Sequence, residues 1–432
     1  MIEAISDTPG SDRASTISRV YSGTHNSSNS FSMLPSEPKI FHGRASELAD
    51  LLTLFNGGTP RIVILGAGGM GKTSLARAVI HHQEVVDRYK QYRFFVMCDS
   101  AFTKVELAAL IGAHVGLKPG NDLTQPVVRY FSSNPQCLLI LDNLETLWEP
   151  ATTRGDIEEF LSLLADVPQL ALIITMRGAE RPSKVRWTRP FLLPLKPLDQ
   201  DAAEQTFADI TDCSHYADDV ARVLLLTDNM PLAINLIAHL VDSEGCPSVL
   251  SRWQEEKTSI MSDGHNSRSN LELSISMSLS SPRIQAVPHS KELLSLLAIL
   301  PDGLSDVELI QSKLQIDNIL HCKTALIRTA LAYRDEKNRL KALVPIREYM
   351  KKTYQRGHDL LRPLLGYFKE LLQLHQEVNG GQMGSSVAQI LSNFANIQNI
   401  LQDGLQPNHP DLKDAIFCAL HLNVFSRVMV RG

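Results

Sequence analysis

What this sequence lacks narrows its identity before any motif is read. No apolar run approaches the ~18 residues that a membrane-spanning helix needs, so no membrane span is expected. The six cysteines (Cys98, Cys137, Cys213, Cys246, Cys322 and Cys418) lie far apart and form no C-x-x-C pair. That spacing argues against a zinc site or a disulfide framework. Cys98 and Cys137 fall at apolar strand positions and read as small core residues in a reducing compartment. The amino terminus carries Glu3 and Asp7 rather than a long apolar segment, so it does not read as a secretory signal, and a cytoplasmic location follows by elimination. A net charge of −5 gives no global reason to expect a nucleic-acid partner. What remains, at 44% hydrophobic and 21% charged residues, has the composition of an ordinary globular chain rather than a disordered one. Its 432 residues are enough for about two to four domains.

The strongest positive signal is Gly66-Ala67-Gly68-Gly69-Met70-Gly71-Lys72-Thr73. Arg61 to Leu65 precedes it as a β-branched apolar run that reads as a buried strand. Ser74 to Ile80 follows with Leu75, Ala76, Val79 and Ile80 on one helical face. Strand, glycine loop and helix form the setting in which G-x-x-x-x-G-K-[ST] means a phosphate-binding loop. The glycines let several N–H groups converge, and the helix start adds partial positive charge. Lys72 would reach the β/γ-phosphates of ATP or ADP, and Thr73 would ligate Mg²⁺.

Taken in order, residues 1–35 are rich in Ser, Asn, Gly and Thr and read as a disordered arm. A helix is expected over 45–55, with Ser46 as its N-cap. Further strands are expected at 92–98, 137–141, 170–175 and 191–193, with helices at 104–111, 127–131 and 157–164. This alternation gives a parallel sheet covered on both faces, an α/β phosphate-loop core over residues 36–196. Strand signals then fade. A helical domain is expected over 197–262, with Asp199 capping its first helix and a candidate linker at Ser262 to Asn266. Residues 263–352 hold helices and a hairpin around Arg334 to Asn338, consistent with a winged-helix-like unit. Residues 353–432 are helical in pattern, with helices at 360–374, 387–401 and 412–425, and read as the possible start of a TPR-like repeat array.

Leu138 to Asp142 is an apolar strand ending in a carboxylate, which suits a Mg²⁺-binding acid beside the loop; the alternative is a buried strand ending at a turn. Asn143 stands where a second acid often polarises the attacking water. An amide is no general base, so fast hydrolysis is not expected unless Glu145 substitutes.

With these residues in place, the chain resembles the NB-ARC/NACHT-type signal-transduction ATPases, including fungal members, over residues 36 to 350. Phe41-His42-Gly43-Arg44 is similar to the family's h-x-G-R segment beside the adenine. Ile173-Ile174-Thr175-Met176-Arg177 is similar to the sensor strand, whose Arg would face the γ-phosphate. Asn229-Met230-Pro231-Leu232-Ala233 is similar to G-L-P-L-A, whose Pro packs near the nucleotide. Each match has a plainer alternative. Gly43 and Arg44 suit a turn and a surface cation, Arg177 a solvated basic loop with Arg181, Lys184, Arg186 and Arg189, and Pro231 a helix start. Asn229 replaces the family's glycine, and the 343–348 region lacks the His of the family's Met-His-Asp triplet.

The resemblance implies an ATP/ADP-binding switch with Mg²⁺. Slow hydrolysis or exchange would change domain packing, the C-terminal helices would present a protein-partner surface, and the ATP form would self-associate. Two other readings stay open. One is a P-loop phosphotransferase. The other is a DNA-binding regulator using the basic residues Arg334, Lys337, Arg339, Lys341, Arg347, Lys351, Lys352 and Arg356, although Asp335, Glu336 and Glu348 interrupt that set and favour a solvated face.

Overall fold

The computed structural model describes residues 34–211, 216–256, 271–354, 358–377, 383–407 and 409–431. The Ser/Asn-rich arm up to residue 33 and the candidate linker at 262–266 lie outside the described residues. The first part of the chain runs α1 (Ala45–Asn56), β1 (Arg61–Gly66), α2 (Lys72–His81), α3 (Gln83–Tyr89), β2 (Arg93–Met97), α4 (Lys104–His114), α5 (Thr124–Ser133), β3 (Cys137–Asp142), α6 (Glu145–Trp148), α7 (Ala151–Ala165) and β4 (Leu170–Arg177). The four strands are parallel in the order β1-β4-β3-β2.

The strands are near-continuous apolar runs because both faces of the sheet are covered. Ile62, Ile64, Leu138, Ile140, Ala171 and Ile173 point to one face, and Val63, Leu65, Leu139, Leu141, Leu172 and Ile174 to the other. The second face closes under Leu107, Ile111, Phe131, Phe160 and Leu161 from α4, α5 and α7. Local signals set the helix ends. Thr103 accepts from the Glu106 N–H while the Glu106 carboxylate accepts from the Thr103 N–H, a reciprocal cap of the kind worth about 1 kcal/mol.

Three local expectations differ from the structure. Arg44, not Ser46, is the N-cap of α1; Ser46 lies inside the helix and its hydroxyl donates to Glu47. Residues 191–193 form no strand, because the chain there makes only one parallel bridge, Gly66 to Leu195. The third difference lies in the tail.

The rest is helical: α8 (Gln200–Ala208), α9 (Ala217–Thr227), α10 (Pro231–Glu244), α11 (Cys246–Glu256), α12 (Leu271–Leu279), α13 (Pro282–Gln285), α14 (Ser290–Ile299), α15 (Asp306–Gln311) and α16 (Ile319–Arg328). The hairpin β5 (Tyr333–Arg334) and β6 (Leu340–Lys341) comes next, followed by α17 (Val344–Thr353), α18 (Arg362–Glu377), α19 (Met383–Ser392), α20 (Phe394–Gly404) and α21 (Leu412–Arg431). Asp199 caps α8 as expected, accepting from the Ala202 N–H. The helix expected over 387–401 is two helices, α19 and α20, broken at Asn393. The Asn393 side chain is buried, accepting from Arg339 at 2.7 Å and donating to Glu308 at 2.5 Å. Its polar group is satisfied only if the chain turns there.

Candidate functional site

The loop from Gly66 to Gly71 leaves β1 and enters α2. Gly69 (φ +81°) and Gly71 (φ +83°) hold left-handed backbone that residues with a Cβ adopt at a cost. At Gly69 the constraint is also spatial, since an added Cβ would stand 2.9 Å from Leu232 Cβ and 3.2 Å from Met230 Sδ. Among the described residues, none of the N–H groups from Gly68 to Thr73 donates to a protein acceptor. Aligned free amides at a helix start are a cradle for an anion.

Lys72 is 6% exposed, and its Nζ donates to the carbonyls of Ala67 (2.8 Å) and Gly66 (3.2 Å). Burial pushes its pKa down to about 8, with Glu145 opposing, Arg177 adding to the fall and Asp142 opposing. Thr73 Oγ1 lies 2.9 and 3.1 Å from the two oxygens of Asp142, the last residue of β3. A hydroxyl beside a buried carboxylate is a donor set suited to a hard divalent cation that also binds phosphate oxygens. The residues present therefore fit a polyphosphate with Mg²⁺.

The strand order decides what else is near. Because β4 lies between β1 and β3, its carboxyl end is flanked by the glycine loop and Asp142. Arg177 is in register with Gly66. Thr175 Oγ1 donates to Asp142 Oδ1 at 2.6 Å and accepts from the Asn143 N–H at 3.0 Å. Asn143 takes φ +60° and donates from Nδ2 to Asp99 Oδ1 at 2.8 Å. Arg177 is not part of a solvated basic loop. Its Nε lies 3.0 Å from Glu145 Oε1, its backbone N–H donates to Glu145 Oε2 at 3.3 Å, and Nη1 donates to Ser278 Oγ on α12 at 3.2 Å. Glu145 is thus held by Arg177 in this arrangement rather than free to act as a base.

The two flanking matches also reach the loop. Arg44 is 5% exposed rather than a surface cation, and Nη2 donates to the carbonyls of Met70 (3.1 Å) and Lys196 (2.6 Å). Gly43 (φ +67°) packs where a Cβ would lie 2.4 Å from Ala202 Cβ on α8. Pro231 opens α10, as its plainer reading expects, and the next residue, Leu232, donates its N–H to the Gly69 carbonyl at 3.1 Å. Ser74 lies in the first turn of α2. All the candidate residues therefore gather around one loop.

Sequence reasoning gave no role to Thr175, Met230, Leu232 or Asp99. Thr175 had a legible signal, a lone hydroxyl inside the apolar run Leu172 to Met176. Met230 and Leu232 stood within the segment similar to G-L-P-L-A without a role of their own, and Asp99 had no signal, its significance being only its bond to Asn143.

Most of the described residues of the basic segment near the hairpin are paired within the fold, and Arg356 lies outside the described residues. Arg339 is 6% exposed and paired with Glu308, Lys341 pairs with Asp335, Lys351 with Glu348 and Lys352 with Glu272.

A strand-loop-helix phosphate cradle on a parallel sheet, with an acid from a neighbouring strand bonded to the loop threonine, defines a P-loop ATPase fold of the Walker type. Residues 30–184 match the family model described as Novel STAND NTPase 1. No curated protein matches the chain. Among solved structures, the Walker-type ATPase of Pyrococcus abyssi is similar in fold, at 14% identity and a TM-score of 0.50 over 74% of this chain and 99% of that chain. The STAND protein with a tetratricopeptide repeat sensor from Pyrococcus horikoshii matches at 14% identity and a TM-score of 0.35, covering 92% of this chain and 57% of that one. The ORC1 protein of Aeropyrum pernix, solved in complex with DNA, matches at 14% and 0.41 over 75% and 96%. A parallel α/β core, similar over residues 30–184 to that family model, is joined to a helical C-terminal region. No described helix is long and apolar enough to cross a membrane.

Proposed function

We propose that the protein is a nucleotide-operated switch of the NB-ARC type, holding ATP or ADP with Mg²⁺ at the glycine loop. Lys72 and the amides of Gly68 to Thr73 would hold the phosphates, and Thr73 and Asp142 the cation. Arg177 would sense the γ-phosphate, and Gly43, Arg44 and Pro231 would bring their segments against the nucleotide. With Asn143 in place of a second acid, any hydrolysis would be slow unless Glu145 substitutes. Residues 36–196, 197–262, 263–352 and 353–432 would act as α/β, helical, winged-helix-like and repeat-like units, in the cytoplasm.

The observation that carries this reading is the grip of downstream and upstream segments on the loop itself. Leu232 N–H bonds the Gly69 carbonyl, and Arg44 bonds the Met70 carbonyl. Loop geometry and domain packing are mechanically joined there, as a switch requires. A partner surface has a candidate on α21, where Ile416, Leu420 and Val424 follow at four-residue spacing with 45, 62 and 53% exposure. The largely paired basic segment disfavours a nucleic-acid partner.

Binding of labelled ATP and ADP to wild type and Lys72→Ala tests the site. A loss of about 100-fold for both nucleotides is expected, from removing charge-assisted contacts to phosphate. Equal affinity in the two proteins would overturn the assignment.

A further inference from the structure

Glu145 is the buried acid for which the proposed site has no task. It begins α6 directly beyond Asp142 and is 9% exposed. Both of its carboxylate oxygens engage one residue, Arg177, through Nε at 3.0 Å and the backbone N–H at 3.3 Å. Arg177 is in register with Gly66, and the Gly178 N–H donates to the Gly66 carbonyl at 3.3 Å, so the guanidinium is carried on the strand bordering the loop. Asp142, which ends the strand just before Glu145, is bonded to Thr73 of the loop and to Thr175 on the strand that carries Arg177, so the pair stands beside the proposed phosphate site.

We propose that Glu145 is a carboxylate placeholder for the third phosphate: it occupies Arg177 when only two phosphates are bound, and thereby sets the preference of the site between di- and triphosphate. The inference rests on the nucleotide reading of the loop. A guanidinium fork binds carboxylate and phosphate by the same geometry, so Arg177 has two alternative anionic partners. With a diphosphate, Arg177 keeps Glu145. With a triphosphate, Arg177 must leave Glu145 to be of use, and the strength of the pair is subtracted from the affinity for ATP but not for ADP. That differential is what shifts a two-state equilibrium. Glu145 is on this account a positioning residue, acting through Arg177.

The test is the ratio of ADP to ATP dissociation constants, measured within each of four proteins: wild type, Glu145→Gln, Arg177→Ala and the double variant. A ratio taken within one variant cancels any loss of folded protein. Glu145→Gln keeps the shape of the side chain and removes its charge, and should raise relative ATP preference about tenfold, or ~1.4 kcal/mol. In the Arg177→Ala background the same substitution should leave the ratio unchanged. An unchanged ratio in Glu145→Gln would overturn the proposal. So would an equal rise in both backgrounds, which would mean that Glu145 simply repels the extra negative charge. If Lys72→Ala also binds both nucleotides as wild type does, the underlying site assignment is what has failed.

Discussion

The two faces of the central sheet are built from the same apolar strands yet end in different places. On one face the core is assembled entirely from residues between Val63 and Trp187, closed by α4, α5 and α7. On the other, Ile62, Ile64, Ile140 and Ile173 belong to a cluster that continues through Met230, Ile234, Leu293, Leu326 and Phe368 to Phe425. One face is self-contained, and the other shares its interior with every downstream helix. The glycine loop stands at the edge of the shared face, since Ala67 and Met70 pack into that cluster. The loop thus shares one packed interior with the C-terminal helices, while α4 and α5 cover the other face.

The exit of β4 is where the two regions meet most sharply. Gly178 (φ +98°) lies against α16 so closely that a Cβ would fall 2.1 Å from the Arg328 carbonyl, which also accepts from the Ala179 N–H. Glu180 then pairs with Arg283 and with Arg328, each at 2.5 Å. Arg283 also stacks over Trp148, as Arg154 does.

The comparison is broken most severely by attacking the self-contained face. Phe131 is fully buried and edge-on to Phe94 at 5.9 Å, so Phe131→Ala should cost about 4 kcal/mol in denaturant unfolding. A loss under ~1 kcal/mol would contradict the core described. Next in size, Gly178→Ala should cost about 2–3 kcal/mol from left-handed strain and the carbonyl clash. Its loss should appear as faster hydrogen exchange in residues 290–328 and leave α4 and α5 protected; uniform exchange would show that the two regions are not separable. Glu180→Gln should have the same signature at about 1 kcal/mol, discounted because Arg328 is half exposed.

A separate test concerns pH. Glu149 is pushed up to about 7, first by burial and then by Glu145, from an ordinary 4.5. An acid whose folded pKa is raised binds more protons folded than unfolded, so its contribution is full below about 4.5 and is lost as pH rises through about 7. Thermal unfolding from pH 5 to 7.5 should show that decline, and Glu149→Gln should flatten it. An identical slope in the variant would assign the titration elsewhere.

Much of the α/β core was legible because its signals are local. An apolar β-branched run, a glycine-rich turn and a helix-forming stretch each state themselves within about ten residues. Asp142 was legible for the same reason, as a charge ending an apolar strand. The failures were also physical. Ser46 looks like an N-cap, but the helix starts two residues earlier, with the Arg44 carbonyl accepting from the Leu48 N–H while the Arg44 guanidinium reaches the Met70 and Lys196 carbonyls. Helix 387–401 looks continuous until Arg339 and Glu308 are brought to Asn393 from 54 and 85 positions away in sequence.

The sequence by itself determined that a phosphate-type loop follows a buried strand, that a parallel sheet forms around it, and that helices follow. It did not determine the order of the strands, because β1 to β4 are alike in apolarity and nothing local ranks them. Tertiary structure alone set β4 between β1 and β3, and with it the approach of Thr175 to Asp142, of Glu145 to Arg177 and of Leu232 to Gly69. Those contacts join residues from 32 to 163 positions apart, across which no local propensity acts. Packing of the shared face is what selects them.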